Sequence, residues 1–185
     1  MKKIEYTITF HTDWHCGSGL SASADVDSLP IKDASGLPYV PGKTMKGLVR
    51  EAIEDFFLFS NNSLVGHDEK IKKTFGFFDD KDKTIRGSVF FSNALLPKSE
   101  ASEIKRCHME KYLFRTLSNT AIDKTGIAAP HSLRKIDVTV PCKLHGYISG
   151  IPEELEEEIK KALCYIKRIG QGRNRGLGRC TITPN

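Results

Sequence analysis

Close to the C-terminus, Gly170-Gln171-Gly172-Arg173-Asn174-Arg175-Gly176-Leu177-Gly178-Arg179 sets four glycines among three arginines. Glycine allows positive φ and lets a backbone come close to a ligand. Arginine supplies a planar, permanently charged fork that matches phosphate oxygens. The combination suits a loop that holds a polyanion backbone; the alternative is a flexible, solvated basic turn. Beyond Glu158 the chain has seven Lys or Arg and no acidic residue. Pro41-Gly42-Lys43-Thr44 offers related chemistry, because it stands where a helix should begin. Unpaired amides at a helix N-terminus attract phosphate, and a hydroxyl such as that of Thr44 adds a donor. Lys43, Lys46 and Arg50 extend this positive surface at i, i+3 and i+7, unless the helix is simply capped and solvated. His15 is open to three readings: a polyanion contact, an acid–base group, or a packing and hydrogen-bonding residue.

These residues need elements to position them. Ile4, Tyr6, Ile8 and Phe10 alternate with polar residues, which predicts a half-buried strand over 3–14. Residues 15–41 are rich in Gly, Ser, Ala, Asp and Pro and read as a long ordered loop. Met45, Leu48, Val49, Ala52, Ile53 and Phe56 then form one apolar helical face. Residues 60–86 read as an irregular insertion and 88–95 as a second strand. Residues 100–136 hold a short helix before Arg115 and a turn-rich excursion over 116–136. A third strand runs through Val138, Val140, Leu144, Tyr147 and Ile148, with Pro141 forcing an edge position or a bulge. A second helix starts near Pro152, with glutamates in its first turns and Lys or Arg at its end, as its dipole favours. Those glutamates need no catalytic role. Cys180–Thr183 completes the order strand, helix, strand, strand, helix, strand. That order predicts an α+β, ferredoxin-like (RRM-like) βαββαβ core in a single domain spanning 1–185.

The totals narrow the function classes. The 185 residues carry a net charge of +5, unevenly placed, which suits nucleic acid better than general solubility. Five scattered cysteines without a C-x-x-C favour a reducing cytoplasm over a disulfide framework. Cys107, His108 and His67 match no standard zinc spacing. Lys2 and Lys3 lead into an alternating segment instead of an apolar one, so neither a signal peptide nor a membrane span is expected. The glycine loop does not open a βαβ unit after a strand, which removes the dinucleotide fingerprint.

Four segments, in this order, carry a family resemblance over most of the chain. Trp14-His15-Cys16-Gly17-Ser18-Gly19 is similar to an L-H-x-G-S-G segment after a first strand. Asp27-Ser28-Leu29-Pro30-Ile31-Lys32-Asp33, followed by Gly36-Leu37-Pro38-Tyr39-Val40-Pro41-Gly42-Lys43-Thr44-Met45-Lys46-Gly47, looks like an acidic loop running into P-G-S-S-L-K-G. Asn119–Gly126 leading to Ala129–Arg134 is similar to a thumb hairpin, and the glycine–arginine loop is the fourth. Together they resemble the RAMP superfamily of CRISPR proteins, most of all the repeated backbone subunit of type III effector complexes. The chain is short for that family.

The resemblance implies a subunit that binds guide RNA along its phosphates, which is insensitive to sequence. Copies of the chain would stack helically with other effector subunits. Each thumb would displace one base of the guide–target duplex, with Ile122 or Leu133 as wedge unless these only pack the hairpin. RNA contacts fall on His15, Gly17, Ser18, Gly42, Lys43, Thr44, Lys46, Arg50, Ile122, Arg134, Gly172, Arg173, Arg175, Gly176 and Arg179. Asp27 falls on the acidic residue of the target-cleaving loop, at D-x-x-x-x-x-D spacing from Asp33, with Asp25 near enough to share the task. A carboxylate there can hold Mg²⁺ or another divalent ion, or position a 2′-hydroxyl for attack on the adjacent phosphate. Asp33 reads as a cap for the Ala34-Ser35-Gly36 turn. The alternatives are a non-cleaving RNA scaffold and a repeat-RNA-processing endoribonuclease of the same superfamily that uses histidine acid–base chemistry.

Overall fold

Strand β1 (Lys2–Phe10) buries Ile4, Tyr6, Ile8 and Phe10 on one side and turns Lys3, Glu5, Thr7 and Thr9 to the other. In the computed structural model, which describes residues 2–20, 26–59, 67–78 and 83–185, β1 lies inside a four-stranded antiparallel sheet. It pairs with β7 (Lys143–Ile151), setting Ile4 opposite Ile148 and Ile8 opposite Leu144. On its other side it pairs with β8 (Cys180–Pro184), setting Ile8 opposite Ile182. The short β4 (Phe90–Phe91) pairs with β7 to complete the order β4-β7-β1-β8.

Two helices cover one face of this sheet. From α1 (Gly42–Phe59) come Met45, Val49, Ala52 and Ile53; from α4 (Glu156–Tyr165) come Ile159, Ala162 and Leu163. All join one hydrophobic cluster with the inward residues of β1, β7 and β8. Each fully buried aliphatic side chain contributes about 1.5–3 kcal/mol relative to exposure. The opposite face has no helical cover among the described residues, so Lys3, Glu5, Lys143, His145 and Tyr147 reach solvent. The chain is therefore α+β with antiparallel sheets. Among the described residues, no helix is long and apolar enough to cross a membrane.

Several boundaries differ from the sequence reading. Strand β1 stops at Phe10 and not at 14: its amide bonds to the Cys142 carbonyl, and Trp14 pairs instead with Thr139. The expected strand 88–95 is regular only at Phe90–Phe91, after which Ala94 bridges to Val40 and Leu95 to His145. The expected strand around Pro141 is two strands, β6 (Arg134–Thr139) and β7. Proline has no N–H for a ladder, so the chain turns there. The described parts of the insertion are ordered as α2 (His67–Phe75) and a small hairpin, β2 (Phe77–Phe78) with β3 (Thr84–Ile85). Residues 60–66 and 79–82 lie outside the described residues.

The excursion after the second crossover begins with α3 (Lys98–Arg106) and a single turn at Glu110–Leu113. Strand β5 (Phe114–Asn119) then pairs with β6 from Phe114–Thr139 up to Asn119–Arg134. This hairpin arm is anchored at its base by Trp14, which exchanges backbone hydrogen bonds with Thr139 and stacks on Phe10 with ring centroids 4.5 Å apart. The arm's outer loop, Thr120–Leu133, is almost wholly exposed.

Candidate nucleic-acid interface

The glycine–arginine loop is laced at both ends to the segment that leaves β1. The Gln171 amide donates to the His15 carbonyl at 2.8 Å, and the Gly178 amide donates to the Asp13 carbonyl at 2.7 Å. Gly170 and Gly178 have φ of 93° and 72°, and a Cβ on either would lie 2.4 Å or 2.0 Å from a backbone oxygen. Only glycine fits such contacts at positive φ. The loop is a built element and not a slack basic turn. Its tip is a single turn, Arg173–Arg175, flanked by Gly172 and Gly176 in the left-handed conformation. Arg173, Arg175 and Arg179 all project to solvent. The Arg168 guanidinium holds the Arg173 carbonyl at 2.9 Å.

Against this loop lies the start of α1. A depression of about 410 Å³ is lined by Gly17, Ser18, Lys43, Thr44, Gln171 and Arg173. Two cations, a hydroxyl at a helix start and a glycine backbone thus converge, while among the described residues Glu51 is the one carboxylate on the wall. The geometry suits a phosphate chain passing between loop and helix.

Gly42 does different work from that foreseen, and His15 takes the hydrogen-bonding role among its three readings. Gly42 is buried against β4, where a Cβ would lie 2.1 Å from the Phe91 carbonyl oxygen, and its amide donates to Asn93 Oδ1 at 2.9 Å. The amides of Thr44 and Met45 turn back to the Pro41 carbonyl. Gly42 therefore sets how closely the helix docks and offers no donor to a ligand; the contact surface of the first turn is left to Lys43 and Thr44. His15 is 1% exposed. Its Nδ1 lies 2.6 Å from the Asp137 carbonyl oxygen and its Nε2 3.0 Å from Ser28 Oγ. A carbonyl only accepts, so Nδ1 carries a proton, and Nε2 shares a second hydrogen bond with the Ser28 hydroxyl. The ring ties the β1 exit, the acidic loop and the hairpin arm together.

Lys46 and Arg50 are drawn away from Lys43. They line a separate groove with Lys72, Arg86 and Phe77, under the small β2–β3 hairpin. Arg50 donates from Nε to Glu54 at 2.7 Å and from Nη1 to the Gly76 carbonyl at 3.2 Å. Partial burial, and then the nearby Arg50 charge, push the Lys46 ammonium below its ordinary pKa. Ile122 and Arg134 sit on the hairpin arm, both exposed and apart from the depression.

The acidic loop runs beside that arm and joins it through a single bridge. Asp27 and Lys135 are fastened twice: the Asp27 amide donates to the Lys135 carbonyl at 2.8 Å, and the Lys135 amide donates to Asp27 Oδ2 at 2.9 Å. Ser28 bridges Ile136 in parallel, and the Ser18 amide donates to the Leu29 carbonyl. The exposed Asp27 carboxylate thus stands two residues from a partner of the depression's wall. Asp25 lies outside the described residues. Asp33 caps its turn, accepting the Ser35 and Leu37 amides on Oδ1. No cluster of three or more His, Cys, Asp or Glu side chains forms a metal cage among the described residues.

Two ties were not legible in the sequence. One is Asp13, whose buried carboxylate receives Arg115 from the arm. The other is Gln171, whose side-chain amide packs on Gly17. Neither has a spacing signal, because each joins elements far apart in the chain.

No curated protein is significantly similar in sequence. The fold is shared with solved structures at low identity. One is a chain of a cryo-EM structure of the Type III-B Cmr-beta bound to cognate target RNA, with a TM-score of 0.69 and 10% identity over 100% of this chain and 97% of that one. Another is a chain of the apo state of Type III-B Cmr-beta, with a TM-score of 0.67 and 12% identity over 98% and 96%. A sequence profile for one family spans residues 7–181, from the middle of β1 to the second residue of β8. It encloses the acidic loop, the helix start, the arm and the glycine loop together, and the chain belongs to the RAMP superfamily.

Proposed function

We propose that this chain is a guide-RNA-binding backbone subunit of a type III CRISPR effector complex. The observation that carries the reading is the convergence of Gly17, Ser18, Lys43, Thr44 and Arg173 on one depression, with an exposed, fastened Asp27 two residues from Leu29, whose carbonyl accepts the Ser18 amide. The sheet order β4-β7-β1-β8, with α1 and α4 over one face, supports a ferredoxin-like core in one domain. The β5–β6 arm is the thumb. Its exposed Ile122, Ile127 and Leu133 are suited to part a base step of a guide–target duplex, and copies of the chain stack along the guide. The likeness to chains of target-RNA-bound Cmr-beta favours an effector role.

Asp27 is the residue placed to assist target cleavage. Its Oδ2 is held by Lys135, which leaves Oδ1 to meet a ligand or the target's 2′-hydroxyl. A single carboxylate is a weak cage for a divalent ion, yet Mg²⁺ is commonly held by one or two carboxylates plus substrate phosphate and water, so Asp27 fits as one such ligand. When bound, the ion stabilises charge developing on the phosphate. Asp27 itself orients the 2′-hydroxyl toward that phosphate, and the arm backbone fixes its direction.

A second reading is a scaffold that binds RNA and leaves the chemistry to other subunits: among the described residues no cluster of three or more His, Cys, Asp or Glu side chains surrounds Asp27. The repeat-processing alternative fits less well, because both nitrogens of His15 are engaged inside the protein. Reconstitution with guide RNA, Mg²⁺ and labelled complementary target RNA separates these outcomes. The proposal expects regularly spaced cuts that vanish in Asp27→Ala while target binding stays. Binding without cuts in either protein supports the scaffold, and failure to bind either RNA overturns the effector role.

A further inference from the structure

We propose that the open face of the four-stranded sheet is a second RNA-binding surface, on which bases of a single strand stack against Phe90 and Tyr147. These rings come from adjacent strands β4 and β7. Phe90 pairs with Ser149, so Tyr147 is its diagonal neighbour on the outward face. The ring centroids are 6.0 Å apart with planes inclined by 47°. Phe90 is 56% exposed and Tyr147 37%, an unusual exposure for two adjacent aromatic rings on a sheet.

A depression of about 680 Å³ adjoins the pair, walled by Ser92, Asn93, Leu95, Lys98 and His145 among others. It offers apolar floor and polar edge groups together. Asn93 Oδ1 is committed to the Gly42 amide, which turns its carboxamide nitrogen to other partners.

Charge decides the occupant. Lys98 lines the depression and Lys3 lies over the Tyr147 ring, and the Glu5 side chain, the one acidic side chain on the wall among the described residues, is already matched by Lys3 at 2.6 Å. The Lys3 ammonium lies 4.6 Å from the centre of the Tyr147 ring. Both partners of that surface ion pair are exposed, so it holds Lys3 weakly. A base sliding onto Tyr147 displaces the ammonium toward the adjoining phosphate. An aromatic platform with a cationic rim fits a strand that presents π-faces and phosphates alternately. The face lies across the sheet from α1 and α4, so it is separate from the glycine loop and does not depend on the reading of that loop.

The test measures binding of a fluorescein-labelled 12-nucleotide oligouridylate by anisotropy at fixed salt, in Lys43→Ala/Arg173→Ala protein. Removing Tyr147 with Tyr147→Ala should weaken binding about tenfold, the scale of one lost base–aromatic stack. Tyr147→Phe should keep it, and an abasic oligomer of equal length should bind no better to one than to the other. In wild-type protein, 5-iodouridine cross-links should map to 88–95 or 143–151. Unchanged affinity in Tyr147→Ala, or cross-links confined to other segments, overturns the proposal. So does a change in sedimentation of the RNA-free variant with no change in RNA affinity, which gives the face to another protein chain. The cross-linking arm stands even if Tyr147→Ala fails to fold. If Lys43→Ala/Arg173→Ala leaves guide binding intact, the glycine-loop reading fails while this one is still judged on its own cross-links.

Discussion

Asp13 and Arg115 join the hairpin arm to the body of the protein. The Arg115 Nε donates to Asp13 Oδ2 at 2.7 Å, and Nη2 donates to the same oxygen. The Asp13 carboxylate is buried although its partner is largely exposed, and the Asp13 carbonyl receives the Gly178 amide on the other side. One residue therefore holds both the arm and the glycine loop.

Arg115→Ala leaves that buried carboxylate without its cation. Such an unsatisfied group costs about 1–3 kcal/mol, so the variant should show a lower urea midpoint with an unchanged slope. Asp13→Asn should lose less, because its amide oxygen still accepts from Arg115. Hydrogen exchange should accelerate in β5 and β6 before it does in β1.

His15→Ala removes a ring that reaches both Ser28 and the Asp137 carbonyl. Freed of that tie, residues 26–30 should become sensitive to limited proteolysis in the folded protein. If Asp27 cleaves target RNA, cleavage should fall severalfold while guide binding remains. Equal proteolysis of variant and wild type would remove His15 from this positioning role.

Glycines of the C-terminal loop should differ sharply in tolerance. Gly176→Ala meets no atom within 4 Å and carries only the left-handed backbone cost of about 1–2 kcal/mol. Gly178→Ala drives a Cβ to 2.0 Å from the Ile169 carbonyl oxygen, which the backbone cannot absorb locally. Its loss should exceed the ~3 kcal/mol that bounds most single substitutions, seen in thermal unfolding.

Burial pushes the thiols of Cys16, Cys142 and Cys180 up to about 12. A raised thiol pKa keeps the protonated form dominant until the pH approaches it, so at pH 8 only about one thiol in ten thousand is the reactive thiolate. Iodoacetamide at pH 8 should modify exposed Cys107 and Cys164 and spare the other three, read by peptide mass spectrometry. Unfolding in urea should expose all five.

Periodicity made the body of the fold legible. The alternation from Ile4 to Phe10 and the apolar faces of the two long helices became strand and helix cores where they were expected, because each side chain's direction follows from local repeat alone. The insertion was less legible: α2 and the β2–β3 hairpin are short and gain their order from neighbours, as where Gly76 backs onto Ile85. The candidate site was half legible. Lys43, Thr44 and Arg173 meet because two predicted loops face each other. Spacing left three readings open for His15 and gave Gly42 to the ligand, since it reveals a residue's type and not its burial. Lys46 and Arg50 share a helix with Lys43, yet the β2–β3 hairpin draws them to another groove.

The double fastening of Asp27 to Lys135 has a mechanical corollary. The carboxylate rides with the arm, while the residues that follow it, Ser28 and Leu29, are tied to the body through His15 and Ser18. A neighbour that grips the tip near Ile122 and tilts the hairpin would strain both fastenings at once, as a lever loads its pin. If copies stack as proposed, the seating of one against the next would bear on the aim of the acid.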